Sequence, residues 1–211
     1  MDIVLFGIQG SGKGTLGKAL AEKYNLQIFE TGSVLRKLSQ ETSPLAQKVK
    51  SIIEAGHLVP TEVVMEIIED FMKNLKPGIN VLFDGIPRKM DQAEAFDKIM
   101  QKNNRNFVGL LLDISQEIAI QRLTTRRLCK NCKTVYPAAY SNSKCEKCEG
   151  ELITRSDDNP ESIKTRLQAY FTETIPVIDK YKKEDKMIVV DGTKSIEEVQ
   201  SIAFEALQGK L

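Results

Sequence analysis

One short segment combines glycines, a lysine and a hydroxyl at a spacing suited to phosphate chemistry. Gly7-Ile8-Gln9-Gly10-Ser11-Gly12-Lys13-Gly14-Thr15 directly follows the apolar run Ile3–Phe6 and opens a helical pattern. This is G-x-x-x-x-G-K in a strand–loop–helix setting. The glycines let backbone N–H groups turn inward around phosphate oxygens. The helix start adds unpaired N–H donors and a positive dipole end, and Lys13 supplies a mobile charge for β- and γ-phosphates. The hydroxyl residue usual directly after the lysine is displaced by one, with Gly14 in its place and Thr15 next. An ordinary glycine-rich turn is the alternative; the spacing predicts that the chain binds a nucleoside triphosphate.

A second constellation is Cys129, Cys132, Cys145 and Cys148, spaced C-x2-C-x12-C-x2-C. Two such turns are the ligand arrangement of a tetrahedral structural Zn²⁺ site, in which four thiolates fill the coordination sphere and leave no catalytic position open. Disulfides are the alternative, and iron on four cysteines fits the same spacing. A segment of about thirty residues buries too little apolar surface to order itself, so a metal would contribute its folding free energy locally.

Composition narrows the classes. The chain has 211 residues, 30 basic and 29 acidic, for a net charge of +1, which gives no bulk electrostatic grip on nucleic acid or on an anionic membrane. No apolar run approaches the roughly 20 residues of a membrane span. Ile3–Phe6 is too short for a signal peptide. A reducing cytoplasm is therefore the expected compartment, where four cysteines favour metal or free thiols.

Strand patterns at Ile3–Phe6, Gln27–Phe29, Val81–Asp84, Val108–Asp113 and Met187–Val190 alternate with helical patterns. The helices are expected at Lys13–Tyr24, Ser33–Gln40, Pro44–Glu54, Glu62–Leu75, Asp91–Lys102, Gln116–Arg127, Pro160–Lys183 and Ile196–Leu207. Non-alternating runs such as Leu110–Leu112 suit strands covered on both faces. The alternation predicts an α/β fold, a parallel five-stranded sheet of P-loop NTPase type with helices on both faces. Two stretches interrupt it, residues 30–59 and 125–158, leaving 1–29, 60–124 and 159–211 as the core.

The phosphate loop in its G-x-x-G-x-G-K-G-T form resembles that of the adenylate kinases, a family of nucleoside monophosphate kinases. Further segments resemble the same family in order: Thr31-Gly32-Ser33-Val34-Leu35-Arg36, Asp84-Gly85-Ile86-Pro87-Arg88 with Gln92 following, Arg126-Arg127, Arg155-Ser156-Asp157-Asp158 and Asp191-Gly192-Thr193-Lys194. The resemblance implies reversible, Mg²⁺-dependent transfer of the γ-phosphoryl of ATP to AMP, giving two ADP. It also implies a mobile lid at 125–158, an AMP-binding insertion at 30–59, a Cys-bound zinc in the lid, and a monomer without nucleic-acid or membrane partners.

Such chemistry is mostly alignment and charge cancellation, for which arginine forks suit phosphate oxygens. By resemblance, Lys13, Asp84, Arg88, Arg122, Arg155 and Arg166 form the reacting set. Gly10, Ser11, Gly12, Lys13, Gly14, Thr15, Arg122, Arg126, Val135, Tyr136 and Lys194 surround ATP. Thr31, Gly32, Arg36, His57, Leu58, Val59, Gly85, Ile86, Pro87, Arg88, Gln92, Arg155 and Arg166 surround AMP. Asp84 would hold Mg²⁺ through its waters, and Asp157 and Asp158 would orient the arginines.

Only eight of the 30 basic residues are arginine, and six of those (Arg36, Arg88, Arg122, Arg126, Arg155, Arg166) occupy these motif positions. Arg122 and Arg126 are expected on one helix face, four residues apart. Arg105 and Arg127 read as surface residues. Thr31 has a second reading as a helix cap, and Asp158 or Asn159 would cap the helix that Pro160 begins. The chain departs from the family pattern at Gln9 (usually Pro), Leu16, Ser33, Ile86 and His57, which loosens the expected preference for AMP. Two rivals remain. One is a UMP- or CMP-directed kinase, against which the long lid argues. The other is a zinc-ribbon nucleic-acid module, whose Lys130, Lys133, Lys144 and Lys147 are diluted by Glu146 and Glu149 with only Tyr136 and Tyr140 to stack.

Overall fold

The computed structural model describes residues 1–137, 140–155 and 157–210. The apolar runs form β1 (Asp2–Phe6), β2 (Gln27–Glu30), β3 (Val81–Asp84), β4 (Phe107–Asp113) and β8 (Met187–Asp191) of one sheet. Its order is β2-β3-β1-β4-β8, and every pairing is parallel. From β1 the chain passes to one side for β2 and β3 and to the other for β4 and β8. A crevice therefore opens at the carboxyl end of β1, the switch point where ligands bind in such sheets.

Helices α1 (Lys13–Tyr24) and α9 (Ile196–Leu207) cover one face, packing Leu16, Leu20, Val199 and Ala203 on Leu5 and Leu110. The other face meets α4 (Thr61–Lys73), α5 (Met90–Lys102) and α8 (Ile175–Lys183), with Phe83, Phe96, Phe107 and Tyr181 stacked edge to face at centroid spacings of 5.1–5.5 Å. The first interruption of the sheet holds α2 (Thr31–Leu38) and α3 (Pro44–Glu54). The second is a small antiparallel sheet, with β5 (Arg127–Cys129) between β6 (Val135–Tyr136) and β7 (Leu152–Ile153). Helices α6 (Gln116–Thr125) and α7 (Pro160–Ala169) lead into and out of it.

Four expectations are corrected. First, α6 stops at Thr125, and Arg126 is extended at φ −69° and ψ 149°. The hydroxyls of Thr124 and Thr125 bond back to the carbonyls of Ile120 and Gln121, and Arg127 is drawn into the small sheet opposite Tyr136. Arg122 and Arg126 therefore do not share a helix face.

Second, the helix expected over 160–183 contains a π turn, Tyr170–Thr174. Pro176 lacks the N–H that would continue the α-helical ladder there.

Third, Arg105 is a structural residue. Its Nε and Nη2 grip both oxygens of buried Asp2 at 2.7 and 2.5 Å, while Asp2 Oδ1 also accepts the Val81 N–H at 2.7 Å. That pair ties β1, β3 and the approach to β4 together.

Fourth, Arg127 is only half-exposed, and its guanidinium donates to the Tyr140 carbonyl.

Candidate active site

The loop after β1 needs backbone shapes that side chains resist. Gly7 lies at φ +141°, and a Cβ there would stand 2.5 Å from the Leu112 carbonyl oxygen. Gly10 and Gly12 also have positive φ, Gly12 as the N-cap of α1. Lys13 folds back across the loop and donates to the carbonyls of Gly7 (2.6 Å) and Ile8 (3.0 Å). Burial lowers its pKa from 10.5 to about 8, opposed by Asp84 and reinforced by Arg88 and Arg126. Asp84 ends β3, and burial pushes its carboxyl up against the pull of Lys13.

The other side of the cleft is built by α2 and the turn after β3. Thr31 is inside α2, whose N-cap is Glu30, so it is not the cap; its Oγ1 is buried with no partner. Arg36 pairs with Glu30 at 3.3 Å. Arg88 is held at three points. Its N–H donates to Gln92 Oε1 (2.9 Å), its Nε donates to the Gly85 carbonyl (2.9 Å), and its carbonyl accepts from Thr174 Oγ1 (2.8 Å). Burial lowers the Arg88 pKa. Ile86 and Pro87 are buried beneath it, whereas His57 is exposed, Leu58 half-buried and Val59 buried after the Gly56 turn. Gly32 precedes Arg36 by one turn of α2.

Four further arginines converge from elements distant in sequence. Arg122 spans from Ser11 to Gly192, donating to their carbonyls at 3.4 and 3.1 Å. Arg126 holds both oxygens of Asp158 at 2.7 Å, and Arg166 reaches Asp158 at 2.9 Å and Asp157 at 3.5 Å. The two acidic residues thus orient arginines, as expected, while Asn159 alone caps α7 through Ser162 N–H. Burial works against the ionised Asp158, but the Arg126 and Arg166 bonds outweigh it and hold the carboxyl below its usual range.

Breaking a buried ion pair from one side costs about 3 kcal/mol or more. Asp158→Ala should lower unfolding free energy by about that amount in urea titrations at pH 7. The parent should lose stability as pH falls from the ordinary aspartate range through the depressed Asp158 pKa, because protonation then removes the pair. An unchanged urea midpoint would discard this role.

Arg155 is half-buried, and burial together with Arg126 and Arg36 lowers its pKa to about 10. It therefore stands in the fields of an arginine at the base of the small sheet and another on α2. Ser156 beside it lies outside the described residues.

Among the described residues, the buried side-chain polar atoms without a hydrogen-bond partner are Gln9 Oε1, Ser11 Oγ, Thr31 Oγ1 and Arg155 Nε. Native interiors leave few such atoms unpaired. Here all four belong to the glycine-rich loop, α2 or the arginine cluster. The same residues fall in a match to the adenylate kinase family model that runs over residues 5–186. This chain belongs to the adenylate kinase family. Proteins named adenylate kinase from Thermodesulfovibrio yellowstonii (39% identical, all of both chains), Clostridium novyi (35%, 99% of both) and Clostridium tetani (37%, 94% of both) are similar along their length. As an adenylate kinase family member, the chain is a phosphotransferase.

The family's zinc-bearing lid form is matched by the cysteines. Their four Sγ atoms lie within 4.8 Å of one another, with Cys129–Cys148 at 3.5 Å and Cys132–Cys145 at 3.4 Å. Tetrahedral zinc with bonds near 2.3 Å separates sulfurs by about 3.8 Å, whereas a disulfide brings them to about 2.05 Å. All four are free thiols, so the disulfide alternative fails and the donor set fits a metal. Each C-x2-C turn closes alike, with the N–H of Lys133 on the Cys129 carbonyl and that of Glu149 on the Cys145 carbonyl, both donors at left-handed φ.

Tyr136 is buried, with its hydroxyl 3.1 Å from Cys145 Sγ. Its ring thus supports the cysteine centre, while neighbouring Val135 is exposed. Lys194 is exposed just past the Asp191–Thr193 turn. Sequence reasoning missed Thr174, which holds Arg88 from across the cleft. Pro176 inside a helical pattern was the signal of the local irregularity that places it.

Proposed function

We propose that this cleft carries out the reaction ATP + AMP = 2 ADP by alignment and charge cancellation. The observation that carries it is the set of orphaned polar atoms and arginines meeting between the phosphate loop and the Gly85–Arg88 turn. The loop from Gly10 to Thr15 takes the ATP phosphates, and Lys13 leaves the Gly7 and Ile8 carbonyls to follow the transferring group. Arg36 and Arg88 hold the AMP phosphate, with Thr31 Oγ1 free to bond that nucleotide. Gln92, bonded to the Arg88 backbone, contributes by fixing that arginine. Arg122, Arg155 and Arg166 surround the oxygens that gain charge, with Arg126 held ready by Asp158.

Asp84 offers a hard oxygen at the loop, which fits Mg²⁺. Held there through Asp84, the ion would supply positive charge that offsets the phosphates. The cysteine centre takes a structural Zn²⁺. Residues 30–59 and 125–158 act as insertions on a core of 1–29, 60–124 and 159–211, closing on AMP and ATP and excluding water. Among the described residues no helix is long and apolar enough to cross a membrane, and we place the enzyme in the cytoplasm as a monomer acting on ATP, AMP and ADP without nucleic acid.

The test is a panel of AMP, CMP, UMP and GMP with Mg-ATP as donor, followed by ADP formation. AMP should exceed the others in kcat/KM by at least about tenfold, since a site built to hydrogen-bond one base leaves polar groups unpaired with another. A preference for CMP or UMP would replace AMP as the acceptor.

A further inference from the structure

Gln9 stands in the phosphate loop where the family pattern has proline. A proline side chain there would bury no hydrogen-bonding group, whereas Gln9 Oε1 is buried without a partner. Gln9 also lines a small cavity of about 30 Å³ together with Lys13, Gly85, Arg88, Tyr170 and Thr174. Its walls belong to the donor loop on one side and the acceptor turn on the other. The transferring group must pass between those two sides.

A carboxamide carries two donor hydrogens and an acceptor oxygen. Phosphate oxygens at neutral pH mainly accept hydrogen bonds, and the charged neighbours on this cavity, Lys13 and Arg88, only donate. The two ends of the Gln9 amide match these two kinds of neighbour. In the ligand-free arrangement Lys13 Nζ donates to the carbonyls of Gly7 and Ile8 and Arg88 Nε to that of Gly85, and Gln9 Oε1 has no partner.

We propose that Gln9 is a further substrate-contacting residue. Its Nε2 donates to an oxygen of the transferring phosphoryl group, while Oε1 accepts from Lys13 or Arg88 once those side chains turn to the phosphates. This rests on the phosphotransfer reading above. Gln9 neither takes nor gives a proton. The bond from the γ-phosphorus to its bridging oxygen breaks and a bond to an AMP phosphate oxygen forms, with Gln9 supplying a neutral hydrogen bond to the group in flight. A neutral donor adds alignment without further charge in a site already crowded with arginine, where each new cation would repel the others and retain the product more tightly.

The experiment uses the full chain and the variants Gln9→Ala, Gln9→Met and Gln9→Glu. It measures initial rates with AMP and Mg-ATP varied separately, and melting temperature without ligand. Gln9→Met keeps the side-chain volume and removes the hydrogen bonds, so it separates bonding from packing. Loss of one preorganised donor should lower kcat by about tenfold or more in both Ala and Met, with KM for each substrate little changed. Melting temperatures should equal or exceed that of the parent, because the orphaned acceptor is gone. Gln9→Glu should fall further, since it sets a negative acceptor against phosphate oxygens. A Met variant with kcat within about twofold of the parent, or a loss of rate matched by a fall in melting temperature, overturns the proposal. ADP formation by the parent tests the underlying reaction separately, because the ratio of variant to parent can be read on whichever acceptor the parent uses.

Discussion

Lys13→Met should lose about a thousandfold or more in kcat and yet melt higher than the parent when no nucleotide is present. In the ligand-free protein Lys13 is buried and folded onto two loop carbonyls, and that burial drags its pKa down to about 8. Below that pH the folded chain carries a poorly solvated ammonium, which opposes folding. Between about 8 and 10.5 the unfolded chain binds more protons than the folded one. The stability of the parent therefore rises with pH across this window, and the rise should be absent in the methionine variant.

Phosphate reverses the sign. A bound triphosphate favours the ammonium, so nucleotide binding should take up protons near pH 8–9 and weaken as pH climbs beyond. Calorimetry in buffers of different ionisation enthalpy reads the proton uptake directly, and scanning calorimetry reads the stability. A methionine variant that retains parental turnover would remove Lys13 from the reaction.

Metal removal should have the next largest effect, and it should appear in stability before chemistry. Among the described residues, the small sheet's own core is Cys129, Tyr136 and Cys145, with Tyr140 and Leu152 packed against it. Structural zinc commonly contributes on the order of 10 kcal/mol to such a unit, far more than this apolar cluster can. Chelation, or Cys145→Ser, should therefore unfold residues 125–158 in a separate transition at least about 10 °C below the main one. The main sheet, held by its own core and by Asp2–Arg105, should melt near its original temperature. Because Arg126 and Arg166 are anchored on Asp158 rather than on the cysteines, kcat at low temperature should fall less than stability does. Elemental analysis should return one zinc per chain. Metal-free protein with reduced thiols and an unaltered melting profile would refute the structural role.

The parts of the site legible in sequence are those whose chemistry is local. The phosphate loop and the two C-x2-C turns each need a few residues at fixed spacing, and the backbone between them does the rest. The five main strands were equally plain, because buried parallel strands leave apolar runs. What stayed hidden depended on partners far along the chain. Arg105 looked like a surface charge because Asp2 is 103 residues away, and nothing near either residue marks the other. The helix expected to run through Arg126 fails because paired threonines bond back to their own turn while the small sheet claims Arg127. The role of Thr31 could not be told from a cap until Glu30 was seen to hold that position. The short strands of the small sheet, two or three residues each, are below the length at which alternation is visible.

The turn after α3 has a mechanical consequence. Gly56 sits at φ +80°, and a Cβ there would stand 2.7 Å from the Ser162 carbonyl oxygen. The Ser162 hydroxyl meanwhile donates to the Glu54 carbonyl at 2.6 Å, and the same Ser162 carbonyl accepts from Arg166 Nε at 3.3 Å. The turn after α3 thus rests on the first turn of α7, beside the carbonyl that also holds Arg166. A shift of α3 would press on Ser162, whose carbonyl accepts from Arg166, without crossing the sheet. The α3 turn and the Arg166 side chain share a single fulcrum.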